Sequence, residues 1–171
     1  MAGYTEEDTV HRGQESFTNL SMQAGAVGDT EIAAAAGIQA TKLQHQHAIQ
    51  YNQADGAAIV AAIMPIHVVR GVAATIVAVQ VSCVDAPSGG TIGFNVDLKK
   101  ANVGTPAPAS VLNAVISYSA TQTDCEVEVG VVDLPTLAAG DTLLVVVAID
   151  AGTGTQGEGL IVTVTLREDA D

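Results

Sequence analysis

From Gln44 almost to the C-terminus, apolar and polar residues alternate along the chain with a period of two. A period of two places successive side chains on opposite faces of a strand, so it indicates half-buried β-strands. About eight short segments of this kind are separated by turn residues, a pattern that favours an antiparallel β-sandwich. The strand count puts a jelly roll first and leaves an immunoglobulin-like sandwich as the alternative topology.

The alternation also predicts which side chains face the core. In the segment 75–84 the predicted inward residues are Val77, Val79, Val81 and Cys83, and in the last segment they are Leu160, Val162, Val164 and Leu166. In the segment after residue 124 they are Cys125, Val127, Val129 and Val131, with Glu126 and Glu128 outward. Both cysteines are thus predicted inward, either within bonding reach or as two buried free thiols, and we expect them to be reduced.

The first 43 residues lack this alternation and are rich in Gly, Ala, Gln, Thr and Ser. Such a composition is typical of an extended or partly disordered arm. Asp29, followed by the alanines 33–36 and Gly37, is the one place where a short helix is predicted, since Asp caps and Gly ends helices. We therefore divide the chain into an arm, residues 1–43, and a single β-sandwich domain, residues 44–171.

Charge excludes several classes of partner. Six basic residues against 19 acidic ones give a net charge of −13, which opposes binding to nucleic-acid phosphates and to anionic membrane surfaces. The uncharged stretches in the apolar middle of the chain are shorter than the roughly 20 residues that span a bilayer. Acidic residues 6–8 stand where a secretory signal carries basic ones, so no such signal is expected.

The sequence contains none of the common catalytic motifs: no GxSxG, no phosphate-binding GxxxxGK, no HExxH and no GxGxxG between a strand and a helix. The glycine-rich segment 152–159 lies between two predicted strands, and we interpret it as a flexible hairpin loop. The absence of Trp argues against sugar platforms. We expect a protein that is not an enzyme and carries no cofactor.

Histidines supply the most specific local pattern. His45 and His47 lie two positions apart on a predicted strand, so both imidazoles project from one face and could share a metal ion. Three chains around a threefold axis would supply six imidazoles, enough for an octahedral ion; the commoner alternative is a pair of polar residues at a strand edge or a subunit contact. His67, alone in an apolar strand, is predicted to be a hydrogen-bonded buried or interface histidine.

Two further patterns suggest surfaces. Asp124, Glu126 and Glu128 share one face of a predicted strand, which is either a calcium-binding edge or, more commonly, a solvated row that deters edge pairing. The segment 57–69 is apolar on both faces. Such a strand needs cover from its own sheet and from something else, and a neighbouring subunit is one candidate.

Four stretches together resemble small decoration, cement or head-fibre proteins of tailed bacteriophages: AGIQATKLQHQH at 36–47, VRGV at 69–72, DLKK at 97–100 with VL at 111–112, and LAAGD at 137–141. The resemblance implies a non-enzymatic virion protein, usually a homotrimer, on the outside of the capsid and made in the host cytoplasm. Its N-terminal segment would contact the major capsid protein, here through Ile38, Lys42 and Leu43. The expected trimer interface comprises His45, His47, Ile49, Tyr51, Ile59, Ile63 and Met64.

Two alternatives remain open. A tail-fibre or receptor-binding tip shares trimeric β architecture and the HxH pattern, and would expose an aromatic or metal-bearing apex. A carbohydrate-binding β-sandwich module is the alternative from another class. A cement protein differs from both because its contact area lies near the arm.

Overall fold

A computed structural model of the protein describes residues 44–70, 73–105 and 107–169. The predicted arm, with the short helix at 29–36 and the contact residues Ile38, Lys42 and Leu43, lies outside the described residues. The side chain of His45 also lies outside them.

The described residues form ten β-strands and no helix. The strands, all antiparallel to their neighbours, are β1 (Gln44–Asn52), β2 (Ala62–Val68), β3 (Ala73–Asp85), β4 (Gly93–Ala101), β5 (Ala109–Ser110), β6 (Ile116–Ser119), β7 (Glu128–Gly130), β8 (Thr136–Ala138), β9 (Thr142–Ile149) and β10 (Glu158–Asp169). Within these residues, nothing helical is present that could cross a membrane.

Two five-stranded sheets pack face to face. One has the order β1-β10-β3-β7, with β8 also paired to β3; the other has the order β2-β9-β4-β5, with β6 also paired to β4. The first strand therefore pairs with the last, and the second with the last but one, which is the nested winding of a jelly roll. The predicted all-β, antiparallel, jelly-roll-like sandwich is confirmed.

The core between the sheets is almost entirely aliphatic. The four predicted inward residues of β10 are buried, as are Phe94, Val96 and Leu98 of β4. Phe94 and Tyr118 stack with ring centroids 5.1 Å apart and planes 7° from parallel. Each fully buried Val, Leu or Phe contributes about 1.5–3 kcal/mol of transfer free energy, so this layer dominates the stability of the fold.

One predicted core residue on β3 faces solvent. Val77 was expected inward, but its side chain is 48% exposed. The register of β3 against β10 pairs Ala78 with Thr165 and Ile76 with Leu166, which leaves Val77 unpaired in a β-bulge. A bulge adds one residue and reverses the inward parity, so Ile76 is buried in place of Val77.

The segment 125–131 is also oriented opposite to the prediction. Cys125, Val127, Val129 and Val131 are exposed rather than buried, and only Glu128–Gly130 forms a strand. Cys125 lies in a turn with a φ of 59°. Gly130 occupies the inward position of β7, where a Cβ would come within 2.8 Å of Cδ1 of Ile116. Glu128, predicted outward, lies half-buried on the same inward side because it pairs with the buried Val81, and the valines point outward instead.

The glycine-rich segment is not a hairpin, because β9 and β10 belong to different sheets and the loop crosses between them. Four backbone hydrogen bonds hold it against the turn at 88–92: Ser88 and Thr155 bond to each other in both directions, and the amides of Thr91 and Ile92 donate to the carbonyl of Thr153. The close approach needs glycine, since a Cβ on Gly90 would lie 2.0 Å from that carbonyl oxygen.

Candidate functional site

Three ionisable side chains meet at one end of the sandwich, where the edge strands β1 and β2 and the end of β10 come together. His47 lies on β1, opposite Leu166 of β10. Glu168 follows Leu166 by two residues, and therefore lies on the same inward face of β10. Both side chains are half-buried.

His67 reaches the same place from the other sheet because of an irregularity in β2. Pro65 pairs with Leu144 and His67 with Leu143, so Ile66 is an extra residue in the ladder. Ile66 and His67 are consequently both half-buried, although neighbours on an ordinary strand face opposite ways. The irregularity thus brings an imidazole to the inner side of an otherwise apolar strand.

The three groups are close enough to act together. Nε2 of His67 donates a hydrogen bond of 2.7 Å to Oε1 of Glu168, between side chains that are 18% and 19% exposed. The rings of His47 and His67 lie edge to face, with centroids 5.6 Å apart at 63°. One ligand atom from each residue lies within 4.8 Å of the other two. We refer to His47, His67 and Glu168 as the His–His–Glu cluster.

The sequence analysis singled out two members of this cluster separately, His47 as part of the HxH pair and His67 as a lone histidine. His67 is hydrogen-bonded, as expected, whereas its proximity to His47 and Glu168 was missed. His45 lies opposite Glu168 in the backbone register, so the predicted HxH pair and the cluster occupy the same end of the same ladder. The signals available in the sequence were the HxH pair and a single histidine inside an apolar segment.

The predicted acidic row does not form on a strand face. Oδ1 of Asp124 accepts the backbone N–H of Ala86 at 2.9 Å, and Oε2 of Glu126 accepts the backbone N–H of Thr123 at 2.7 Å. Oε1 of Glu128 accepts from Nε2 of Gln122. These carboxylates satisfy loop donors and a neighbouring amide instead of converging on a cation.

A second surface lies on β2 and the residues just before it. Val60, Ile63, Met64 and Val68 are 60%, 71%, 46% and 48% exposed, and we call these four residues the β2 strip. No charged residue occurs between positions 57 and 69. Ile59, which was predicted at a trimer interface, is only 2% exposed and packs in the chain's own core, so that assignment is wrong. Ile49 and Tyr51 are half-buried against the same core.

A third surface lies at the opposite edge of the sandwich. Val127, Val129 and Val131, in and around β7, are 52%, 62% and 67% exposed, and we call them the valine strip. β7 ends the first sheet on the side away from β1, and it contacts β6 of the second sheet. The β2 strip and the valine strip therefore lie on opposite edges of one domain.

Comparison with protein-family models, curated proteins and solved structures gives no match for this chain.

Proposed function

We propose that this protein is a structural component of a bacteriophage virion, which binds the outer surface of the capsid as a homotrimer and stabilises or decorates the shell. The observation that carries the proposal is the β2 strip. Large apolar side chains exposed close together along one edge strand favour an interaction surface, because water contact with them is unfavourable. The proposed partner, a phage capsid, is inferred from the stretches that resemble phage decoration proteins.

The arrangement of the two apolar strips supports a ring of subunits. A contact between the β2 strip of one subunit and the valine strip of the next is heterologous, since it joins two different surfaces. Heterologous contacts repeat from subunit to subunit and close into a ring when the rotation allows. Three subunits are the number that the resemblance implies.

The capsid contact is assigned to Ile38, Lys42 and Leu43, on the resemblance alone. Leu43 directly precedes β1, which is the edge strand beside β2. The contact residues thus adjoin in sequence the edge that carries the β2 strip. The acidic domain, with few basic residues to attract DNA or anionic lipid, suits a location outside the shell.

The mass of the full chain in solution tests the assembly. Light scattering should give three times the chain mass of 17.3 kDa. Ile63→Glu should give single chains, because a charge in an apolar contact is desolvated without a partner. Val103→Glu is the matched control: Val103 is 75% exposed, lies outside both strips, and its replacement should leave the trimer intact. A monomeric wild-type protein would contradict the proposal.

Binding to capsids tests the function itself. Capsids assembled from the major capsid protein of the same genome should sediment with the full chain in saturable fashion. The double variant Lys42→Glu/Leu43→Asp should weaken this binding by about tenfold or more, as expected for two interface residues, without changing the mass in solution. Attachment to tails, or specific binding on a glycan array with no capsid binding, would favour the fibre tip or the carbohydrate module instead.

A further inference from the structure

We infer that the His–His–Glu cluster is a binding site for a divalent transition-metal ion of the zinc class, built within a single chain. This inference goes beyond the proposed function and does not depend on it. It rests on the convergence of three ligands, two imidazoles and one carboxylate, from three strands, and on the distances between them.

The donor set matches the ion. Two imidazole nitrogens and one carboxylate oxygen are a recurrent three-ligand set for Zn²⁺, with ligand distances of about 2.0–2.2 Å. Tetrahedral geometry at those lengths separates neighbouring ligand atoms by roughly 3.3 Å. The three ligand atoms already lie within 4.8 Å of one another, and the His67–Glu168 pair lies at 2.7 Å. Small side-chain rotations would bring them around one ion.

The environment also suits an ion. The three side chains are half-buried at the open end of the sandwich, so they are partly shielded from water yet accessible from solvent. An open groove of about 470 Å³, lined by Pro65, Ile66, His67, Val68 and Arg70, leads along β2 to His67. A fourth position on the ion would remain for water or another ligand, as in zinc sites with three protein ligands.

A metal at this place would link the two sheets. His47 and Glu168 belong to the first sheet and His67 to the second, and His67 and Glu168 are 101 residues apart in the chain. An ion that binds the folded chain and not the unfolded one stabilises the fold by mass action. Metal binding is therefore expected to hold the two sheets together at this end and to raise the stability of the domain.

Titration of the full, chelator-treated chain with Zn²⁺ tests the inference. Isothermal titration at pH 7.5 should give one ion per chain, and Zn²⁺ at about 100 times its dissociation constant should raise the melting temperature by about 5 °C or more. Loss of a partner outside the ligand shell already costs 10–100-fold in affinity, so loss of a ligand should cost more than about 100-fold. His67→Gln and Glu168→Gln should each show that loss.

Glu158→Gln is the matched control, since Glu158 begins the same strand at its other end and is also half-buried; it should bind within about threefold of wild type. Glu168→Gln preserves the shape of the side chain. Its Zn²⁺ affinity therefore tests the inference if circular dichroism shows that His67→Gln does not fold. The inference is overturned if the wild type does not bind Zn²⁺ at micromolar concentration, or if a folded His67→Gln or Glu168→Gln variant retains binding. One ion per three chains would also overturn it, because that ratio indicates a threefold site at His45 and His47.

Discussion

The two cysteines illustrate how strongly neighbouring positions in this fold differ in environment. Cys83 is fully buried on β3, and burial raises the pKa of its thiol to about 11, although a hydrogen bond with Tyr118 acts in the opposite direction. Burial also raises the pKa of Tyr118. Cys125 is exposed in its turn, and its backbone N–H donates to the carbonyl of Cys83 at 2.9 Å. Only Cys125 is therefore open to reagents.

Stability should fall at alkaline pH because of Cys83. Its pKa rises from an ordinary value of 9.0 in the unfolded chain to about 11 in the folded one. Between these values the unfolded chain releases a proton that the folded chain keeps, so the free energy of unfolding decreases as pH rises and is undiminished below pH 9. The expected loss by pH 10.5 is about 2 kcal/mol. Urea unfolding at pH 8 and pH 10.5 measures it.

Cys83→Ala provides the control for this pH dependence. The variant starts less stable, because a buried group is removed, but its stability should decrease less between the two pH values than that of wild type. The remaining decrease comes from Tyr118, whose raised pKa acts in the same sense. Equal slopes for variant and wild type would show that Cys83 does not titrate in this way.

At the scale of strands, the period-two pattern located the long elements but not their irregularities. The predicted last segment corresponds to β10, in which buried and more exposed residues alternate from Leu160 to Leu166. The bulge at Val77 was not predictable, since it depends on the register that β10 imposes on β3. Around β7 the predicted face was inverted because the pattern could not show that Gly130 fills the inward position.

Because of the bulge, we expect different losses of stability on truncating two valines that the alternation places on the same face. Val79→Ala should lower the free energy of unfolding by about 2 kcal/mol, since Val79 is fully buried and its loss leaves a cavity. Val77→Ala should cost less than about 0.5 kcal/mol, as an exposed position does. Chemical denaturation of both variants provides the comparison, and equal losses would show that Val77 faces the core.

At the scale of the whole molecule, the features that matter for function join distant parts of the chain. His67 and Glu168 are 101 residues apart, and the sequence has no local pattern that relates them. They meet because the first strand pairs with the last and the second strand lies beside them in the facing sheet. Apolar strips on opposite edges are likewise visible only once the strand order is known.

A head-to-tail ring predicts complementation between two dissociated variants. Val129→Glu should yield single chains, as Ile63→Glu should, because each substitution disables one of the two strips. Each variant retains the strip that the other lacks, so an equal mixture should form a one-to-one dimer of twice 17.3 kDa. Light scattering of the mixture measures this mass. A symmetric contact of the β2 strip with itself would leave the mixture monomeric.

The pairing of β1 with β10 also gives the domain a direction of mechanical weakness. Gln44 lies opposite Asp169 and Asn52 opposite Ile161, so the domain's two ends emerge together at one end of a single ladder. A force that pulls Gln44 and Asp169 apart breaks the hydrogen bonds of that ladder one pair at a time, starting from this end. A force that slides β1 along β10 loads every hydrogen bond of the ladder at once. The same domain therefore yields readily to peeling and resists shear.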